Sequence, residues 1–366
     1  MKKLLLTLGL LASGVSPAFA DIQFGWAGPA TANGAAIGEQ THNGVSQAVE
    51  DINAKGGVLG QKITVQYEDD AGDPKQAISV ANRLVAAGVQ FVIGHQNSGA
   101  SIPASQVYAE GGVIQVTPGS TNPKLTEQGL WNVFRTCGRD DQQGTVAGNY
   151  LLKHFSGKRI FIIHDKTPYG LGLVEEVKKT MNAGGLTEIG FEGIDVGQKD
   201  YAALVSKILE AGADAVYFGG NYTEGALILR QMRDQSIKIP LLGGDAMFSS
   251  EFSAIAGQGA EGTMITFGPD ATKNAAAKEV VARFAEKHFN PEGFTLYAYA
   301  AVQVLTQAIQ QAGTANTEAV AKVMHSGRSF DTVIGPLSYN EKGDIQRLDF
   351  VFYELKGGKF VEAAGE

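Results

Sequence analysis

The side chains best placed to do chemistry in this 366-residue chain are the hydroxyls and amides of two short loops. Phe91, Val92 and Ile93 form an apolar run closed by Gly94, after which Ala104, Val107 and Tyr108 recur at helical spacing. The polar stretch between, Gly94 to Gly99, reads as the passage from a strand into a helix. It offers Ser98 and unbonded first-turn N–H groups to an anion. Val113 to Val116 repeats the pattern and ends in Thr117-Pro118-Gly119-Ser120-Thr121. Ligands of open α/β sheets sit outside the carboxyl ends of strands. Two such loops suit a small molecule bearing a carboxylate, although the same Ser and Thr residues suit helix capping equally well.

Constellations that would break or transfer bonds are missing from the sequence. Gly257 to Gly262, GQGAEG, matches G-x-G-x-x-G but precedes a strand, whereas a dinucleotide site follows one and opens a helix. There is no G-x-S-x-G elbow, Walker A loop or H-E-x-x-H. The six histidines, His95 and His164 among them, lack metal-ligand spacing. Asp69-Asp70 and Asp140-Asp141 read as strand ends and helix caps. The expectation is a protein that binds without catalysing, with no metal and no cofactor.

The elements that must hold these loops alternate. Ile22 to Trp26 reads as a strand. Val45, Ala48, Val49 and Ile52 line a helix that ends at Gly56-Gly57, and Ile63, Val65 and Tyr67 alternate as a second strand. Asp73-Pro74 is an N-cap followed by the first helical position. With the Phe91 and Val113 strands this makes a βαβαβαβ run, the mark of a parallel sheet wrapped by helices. After Thr136 to Arg139 the rhythm restarts, with strands at Ile160–Ile163, Thr187–Phe191, Ala215–Phe218, Pro240–Leu242 and Met264–Phe267. The last third breaks it: helical patterns around Val280–Phe284, Leu296–Ile309 and Thr317–Met324 precede apparent strands at 332–339 and 348–355. Helices without intervening strands should pack back on an earlier sheet, which gives two discontinuous lobes and a cleft between them.

Composition narrows the class further. Met1 to Ala20 has two lysines, an apolar run from Leu4 to Leu11 and Ala18-Phe19-Ala20, a secretory signal peptide with cleavage expected after Ala20. No cysteine follows that site, so no lipid anchor is expected, and no later apolar run is long enough to span a membrane. A net charge of -8 argues against nucleic acid as a partner. Cys137 is the only cysteine, so an intramolecular disulfide cannot form.

Six stretches then carry a resemblance: DINAKGGVLGQKITV from Asp51, DPKQAISVAN from Asp73, FVIGHQNS from Phe91, VTPGSTNP from Val116, HDKTPYGLGL from His164 and DTVIGPLSYNEKGD from Asp331. In order and spacing they resemble the periplasmic Leu/Ile/Val-binding protein family, the solute receptors of branched-chain and other hydrophobic amino-acid ABC transporters. The resemblance implies an α/β type I periplasmic binding protein, two flavodoxin-like lobes with a hinged central cleft. The lobes implied are residues 21–139 plus 268–348 and 140–267 plus 349–366, behind the 1–20 leader. The implied partners are a free amino acid, branched-chain or small aliphatic, and ABC transporter permease subunits of the inner membrane. An exported sensory or regulatory receptor for amino acids or amides is the alternative.

Carried over by position, Ser98 and Thr121 take a ligand α-carboxylate, with Ser120 beside them. Gly119 C=O, the Thr121 hydroxyl and Asp245 take an α-ammonium, and Tyr169 closes over the ligand. The side-chain pocket falls on Ile37, Gln96, Asn97, Asn221, Phe294 and Tyr297. Several of these depart from the family pattern. Its two first-lobe cysteines fall at Gly72 and Asn97, aromatic contacts fall at Ile37 and Asn221, an apolar position falls at Gln96, and Asp245 stands where Glu is usual. A more polar pocket points to a broader or smaller ligand range, such as Ala, Val, Pro, Thr or γ-aminobutyrate.

Overall fold

The computed structural model describes residues 20–347 and 350–363. The expected leader therefore lies, apart from Ala20, outside the described residues. Five parallel strands come first: β1 Ile22–Gly28, β2 Ile63–Asp69, β3 Phe91–Gly94, β4 Ile114–Thr117 and β5 Val133–Arg135. Between them run α1 Ala35–Ala54, α2 Pro74–Ala86, α3 Ser98–Glu110 and α4 Lys124–Glu127. Their sheet has the order β2-β1-β3-β4-β5. Phe91, Val92 and Ile93 are fully buried, as a central strand covered on both faces must be. Asp73 caps α2 as its sequence foretold, accepting from Lys75 and Gln76 N–H at 2.9 and 2.8 Å.

The second set is α5 Asp140–His154, β6 Ile160–His164, α6 Pro168–Ala183, β7 Glu188–Gly193, α7 Ala202–Glu210, β8 Ala215–Gly219, α8 Tyr222–Asp234, β9 Leu241–Gly243, α9 Ser250–Ala256 and β10 Met264–Phe267. It is followed by α10 Lys278–Glu286, α11 Thr295–Ala312, α12 Thr317–Met324, β11 Val351–Lys356 and β12 Lys359–Glu362. The second sheet runs β12-β11-β10-β9-β8-β6-β7, parallel from β6 to β10, with β11 and β12 added antiparallel. α11 packs on α1, β3 and β4 of the first sheet. The approach of α1 to α11 is close because Gly44 has no side chain; a methyl group there would overlap the Thr295 carbonyl.

Two strand readings are corrected. Residues 332–339 form no strand: Thr332 Oγ1 donates to Gly335 O and Gly335 N–H to Thr332 O, folding the segment into a turn around Gly335 at φ 94°. Only the bridges Phe330–Leu337 and Tyr339–Ile345 remain. The closing strand starts at Val351, with Leu348 outside the described residues, and turns at Gly357-Gly358 into β12. Among the described residues, no helix is long and apolar enough to cross a membrane.

The chain passes from one sheet to the other after β5, after β10 and before β11. Asp344 ties the first passage to the third. Its carboxylate meets the fully buried Arg135 at 2.8 Å and Arg139 at 2.7 Å, and accepts from Thr126 Oγ1 at 2.9 Å. Arg135 also donates to the carbonyl of Ser120 at 2.6 Å. Removing the acid strands a buried guanidinium, so Asp344→Ala should destabilise the protein by about 3 to 5 kcal/mol. Urea unfolding would read this as a lower midpoint with an unchanged slope.

Candidate functional site

In both sheets the strand order reverses next to the first strand of the set, β1/β3 in one and β6/β8 in the other, and the loops leaving those strands face each other. β3 delivers Gln96, Asn97 and Ser98, and β4 delivers Gly119. From the other sheet β6 delivers Tyr169, β8 Asn221, and β9 Asp245 with Ala246. These residues line, with Gly34, Ile37 and Phe294, a small cavity between the lobes, about 20 Å³ as traced by the centre of a water-sized sphere. Ile37, Gln96, Ser98, Tyr169, Asn221, Asp245 and Phe294 are all buried.

One end of the cavity is acidic. Asp245 Oδ1 accepts from Tyr169 O–H at 2.7 Å and from Gln143 Nε2 at 3.2 Å. Ala246 N–H donates to Tyr169 Oη at 3.2 Å, so the phenol is held from two sides. Burial pushes the Asp245 carboxyl up to about 6, against the pull of these donors. Behind it Asp140 is raised well above the usual carboxylate range, by burial first and by the Asp245 charge second, with the Thr121 hydroxyl drawing it back.

Helix starts contribute the second group of lining residues. Asn97 and Asn221 stand at the N-caps of α3 and α8 in extended conformation, yet neither side chain bonds to its own helix. The Asn97 carbonyl takes the N–H groups of Ala100 and Ser101, both at 2.9 Å, which leaves those of Ser98 and Gly99 for an external acceptor. The Ser98 hydroxyl accepts from Asn122 N–H at 3.2 Å, which locks the two loops together. Beneath them the buried His95 ring bridges Asp70 at 2.6 Å and Tyr108 at 3.0 Å. The His95 carbonyl collects the hydroxyls of Ser101, Thr117 and Ser120.

Direct contacts cross between the lobes. Asn33 Nδ2 donates to both oxygens of the buried Glu224 at 3.0 and 3.1 Å, Tyr222 O–H accepts from Ala36 N–H at 3.3 Å, and Asn122 Nδ2 donates to Pro168 O at 2.6 Å. The structure is thus a closed one.

Of the residues singled out in the sequence, nine line the cavity: Ile37, Gln96, Asn97, Ser98, Gly119, Tyr169, Asn221, Asp245 and Phe294. Ser120, Thr121 and Tyr297 do not. Ser120 Oγ is committed to Ser101 Oγ at 2.6 Å and to the carbonyls of His95 and Gln96. Tyr297 faces the larger open groove beside the cavity. Gly72 and Asn97, where the resemblance places cysteines, are neighbours: a Cβ on Gly72 would lie 3.7 Å from Asn97 Oδ1. Gly34, Ala246 and Gln143 escaped sequence reasoning. Ala246 follows Asp245 directly and could have been drawn in with it, whereas Gln143 reaches the acid only through the packing of α5 on β10.

The raised Asp245 acid has a thermodynamic consequence with a definite sign. A carboxyl harder to ionise when folded contributes stability below its unfolded value, and that contribution is lost as pH rises through about 6. Asp245→Asn should therefore leave the ligand-free protein unchanged near pH 3.5. It should stabilise it by up to about 3 kcal/mol at pH 8, read as a gap between the two stability-against-pH curves.

Comparison with known proteins places this architecture. The family model described as periplasmic binding protein matches residues 21–359. A Leu/Ile/Val-binding protein homolog 1 from Brucella suis is 51% identical over 341 residues, covering 93% of this chain and 92% of the relative. The Leu/Ile/Val-binding protein BraC3 of Rhizobium johnstonii is 46% identical over 347 residues, 94% of this chain and 95% of that one. Among solved structures, the branched-chain amino acid transporter substrate binding protein LivJ of Streptococcus pneumoniae in complex with isoleucine superposes with a TM-score of 0.85 at 25% identity. It covers 94% of this chain and 100% of its own. The leucine binding protein LivK of Thermotoga maritima gives 0.87 at 27%, covering 94% and 98%.

Proposed function

The chain belongs to the periplasmic binding protein family and, within it, to the Leu/Ile/Val-binding proteins, and from that premise we propose that it captures a branched-chain or other small aliphatic L-amino acid in the periplasm and hands it to an ABC transporter. The observation that carries this is a buried interlobe cavity whose lining combines the helix-start N–H groups at Ser98 with the buried acid Asp245. An α-carboxylate fits the Ser98 end, with the Thr121 loop behind it. An α-ammonium fits Asp245, with the Gly119 carbonyl as its second acceptor. Hydrogen bonds to charged groups contribute about 1.5 to 3 kcal/mol each, enough for these few contacts to anchor the amino-acid end. Tyr169, already bonded to Asp245, covers the ligand from the second lobe.

Capture follows from the division of these groups. Ser98 and Gly119 stand on one lobe, Asp245 and Tyr169 on the other. A zwitterion satisfies both sets only when the lobes are shut, so it shifts the hinge equilibrium towards the closed form. We take the lobes to be residues 21–139 with 268–348 and 140–267 with 349–366, the closed pair being what docks on permease subunits. Residues 1–20 are taken as the leader that directs export.

The test is a thermal-shift panel on protein unfolded, stripped of carried-over ligand and refolded, with each L-amino acid, γ-aminobutyrate, small amides and a sugar. A ligand at about 100 times its Kd adds roughly 2.7 kcal/mol of stability. Shifts confined to amides would replace the transport reading with a regulatory one. Asp245→Ala should weaken the responding amino acid by about 2 to 5 kcal/mol in calorimetric titration, and an unchanged affinity would move the ammonium partner elsewhere.

A further inference from the structure

Once the carboxylate and ammonium ends are assigned, the third substituent of the ligand's Cα is left with walls that include Ile37, Gln96, Asn97, Asn221 and Phe294. Two of these are hydrocarbon and three are amides. Gln96 is 6% exposed, and its Oε1, like the Oδ1 of the less deeply buried Asn97, has no hydrogen-bond partner among the described residues. A buried acceptor without a donor is uncommon in folded proteins and unfavourable. Nor is the Gln96 amide there by accident of packing. It lies across Gly119, where a Cβ would come within 2.5 Å of Gln96 Cδ. Gly119 does not lie in the left-handed region, so the backbone does not require a glycine there. A methyl group there would instead push aside the end of the flexible Gln96 side chain.

Resting on the amino-acid reading above, we propose that Gln96 is a specificity-determining residue that bonds a polar group on the ligand's side chain. The preferred class is then small L-amino acids with a hydroxyl or primary amide close to Cβ, ahead of their aliphatic isosteres. A hydroxyl suits the site in either orientation of the Gln96 amide, because it both donates and accepts. Ile37 and Phe294 supply the apolar contact for the remaining carbon, as a β-branched hydroxy amino acid requires. Gly119 is the positioning partner that keeps the amide in the wall.

Threonine and valine differ by hydroxyl against methyl at equal size, so their ratio isolates the contact. Calorimetric titration of the stripped, refolded protein should give threonine at least about tenfold tighter than valine, since a site built to bond a hydroxyl discriminates against the analogue lacking it. Gln96→Met should abolish or reverse that ratio while valine still binds. Gly119→Ala, which displaces the amide without removing it, should lower the ratio in the same direction. The two substitutions combined should do little more than Gln96→Met alone, as expected of coupled neighbours. Valine equal to or tighter than threonine in the unmodified protein would overturn the proposal with no variant needed, and leave the amino-acid reading intact. An unchanged ratio in Gln96→Met would do the same. Failure of every amino acid to bind would sink both readings at once.

Discussion

A carboxylate enclosed between two lobes is the constraint on which the rest of this molecule turns. Asp245 is buried and hydrogen-bonded, and yet its acid is shifted to about 6, because two neutral donors do not compensate for lost water as a cation does. Closing over such a group is uphill at neutral pH unless something positive comes with it. The interlobe contacts offset part of that opposition: the Asn33 amide on Glu224, the Tyr222 phenol and the Asn122 amide on Pro168 are made by the closed form. The balance between a disfavoured charge and a few polar contacts is what a single small cation can tip.

The fold serves that balance by putting reversals of strand order face to face. Parallel sheets push helix starts and loop ends to one edge, and here two such edges meet, so that N–H groups from one sheet and an acid from the other converge without any long loop. The precision comes from below the surface of the cavity. His95 is held by Asp70 and Tyr108 on its ring and takes three hydroxyls on its carbonyl, so the loop carrying Gln96 and Ser98 is anchored at every polar atom of its first residue that a side chain can reach.

Much of this was legible in the sequence, and the reasons are local. The strand–loop–helix passage at Phe91 and the Asp73-Pro74 cap announce themselves by period and residue type, and the resemblance pointed to Asp245 and Tyr169, which lie side by side in the cavity wall and are hydrogen-bonded to each other. What failed to show is tertiary. β5, VFR, and β12, KFVE, are as short as β3 and β9 but lack their unbroken apolar run, each carrying charged residues instead. Residues 332–339 alternate like a strand, but a Thr332–Gly335 turn folds them. Ser120 has the chemistry of a ligand contact, yet its hydroxyl is consumed by its neighbours, a fact visible only once the two loops lie side by side. Gln143 is one more polar residue on a helix until α5 is packed against β10.

The three passages between the sheets also set the order in which the molecule can be assembled. β1 is made almost at once, but α11, which covers β3 and β4, comes about 270 residues later, and the second sheet waits for β11 and β12 after that. A chain delivered amino terminus first leaves β3 and β4 without α11 until residue 295, and the second sheet without its antiparallel edge until residue 351. Contacts this far apart in sequence form late, so the cleft between the sheets is a late product of folding.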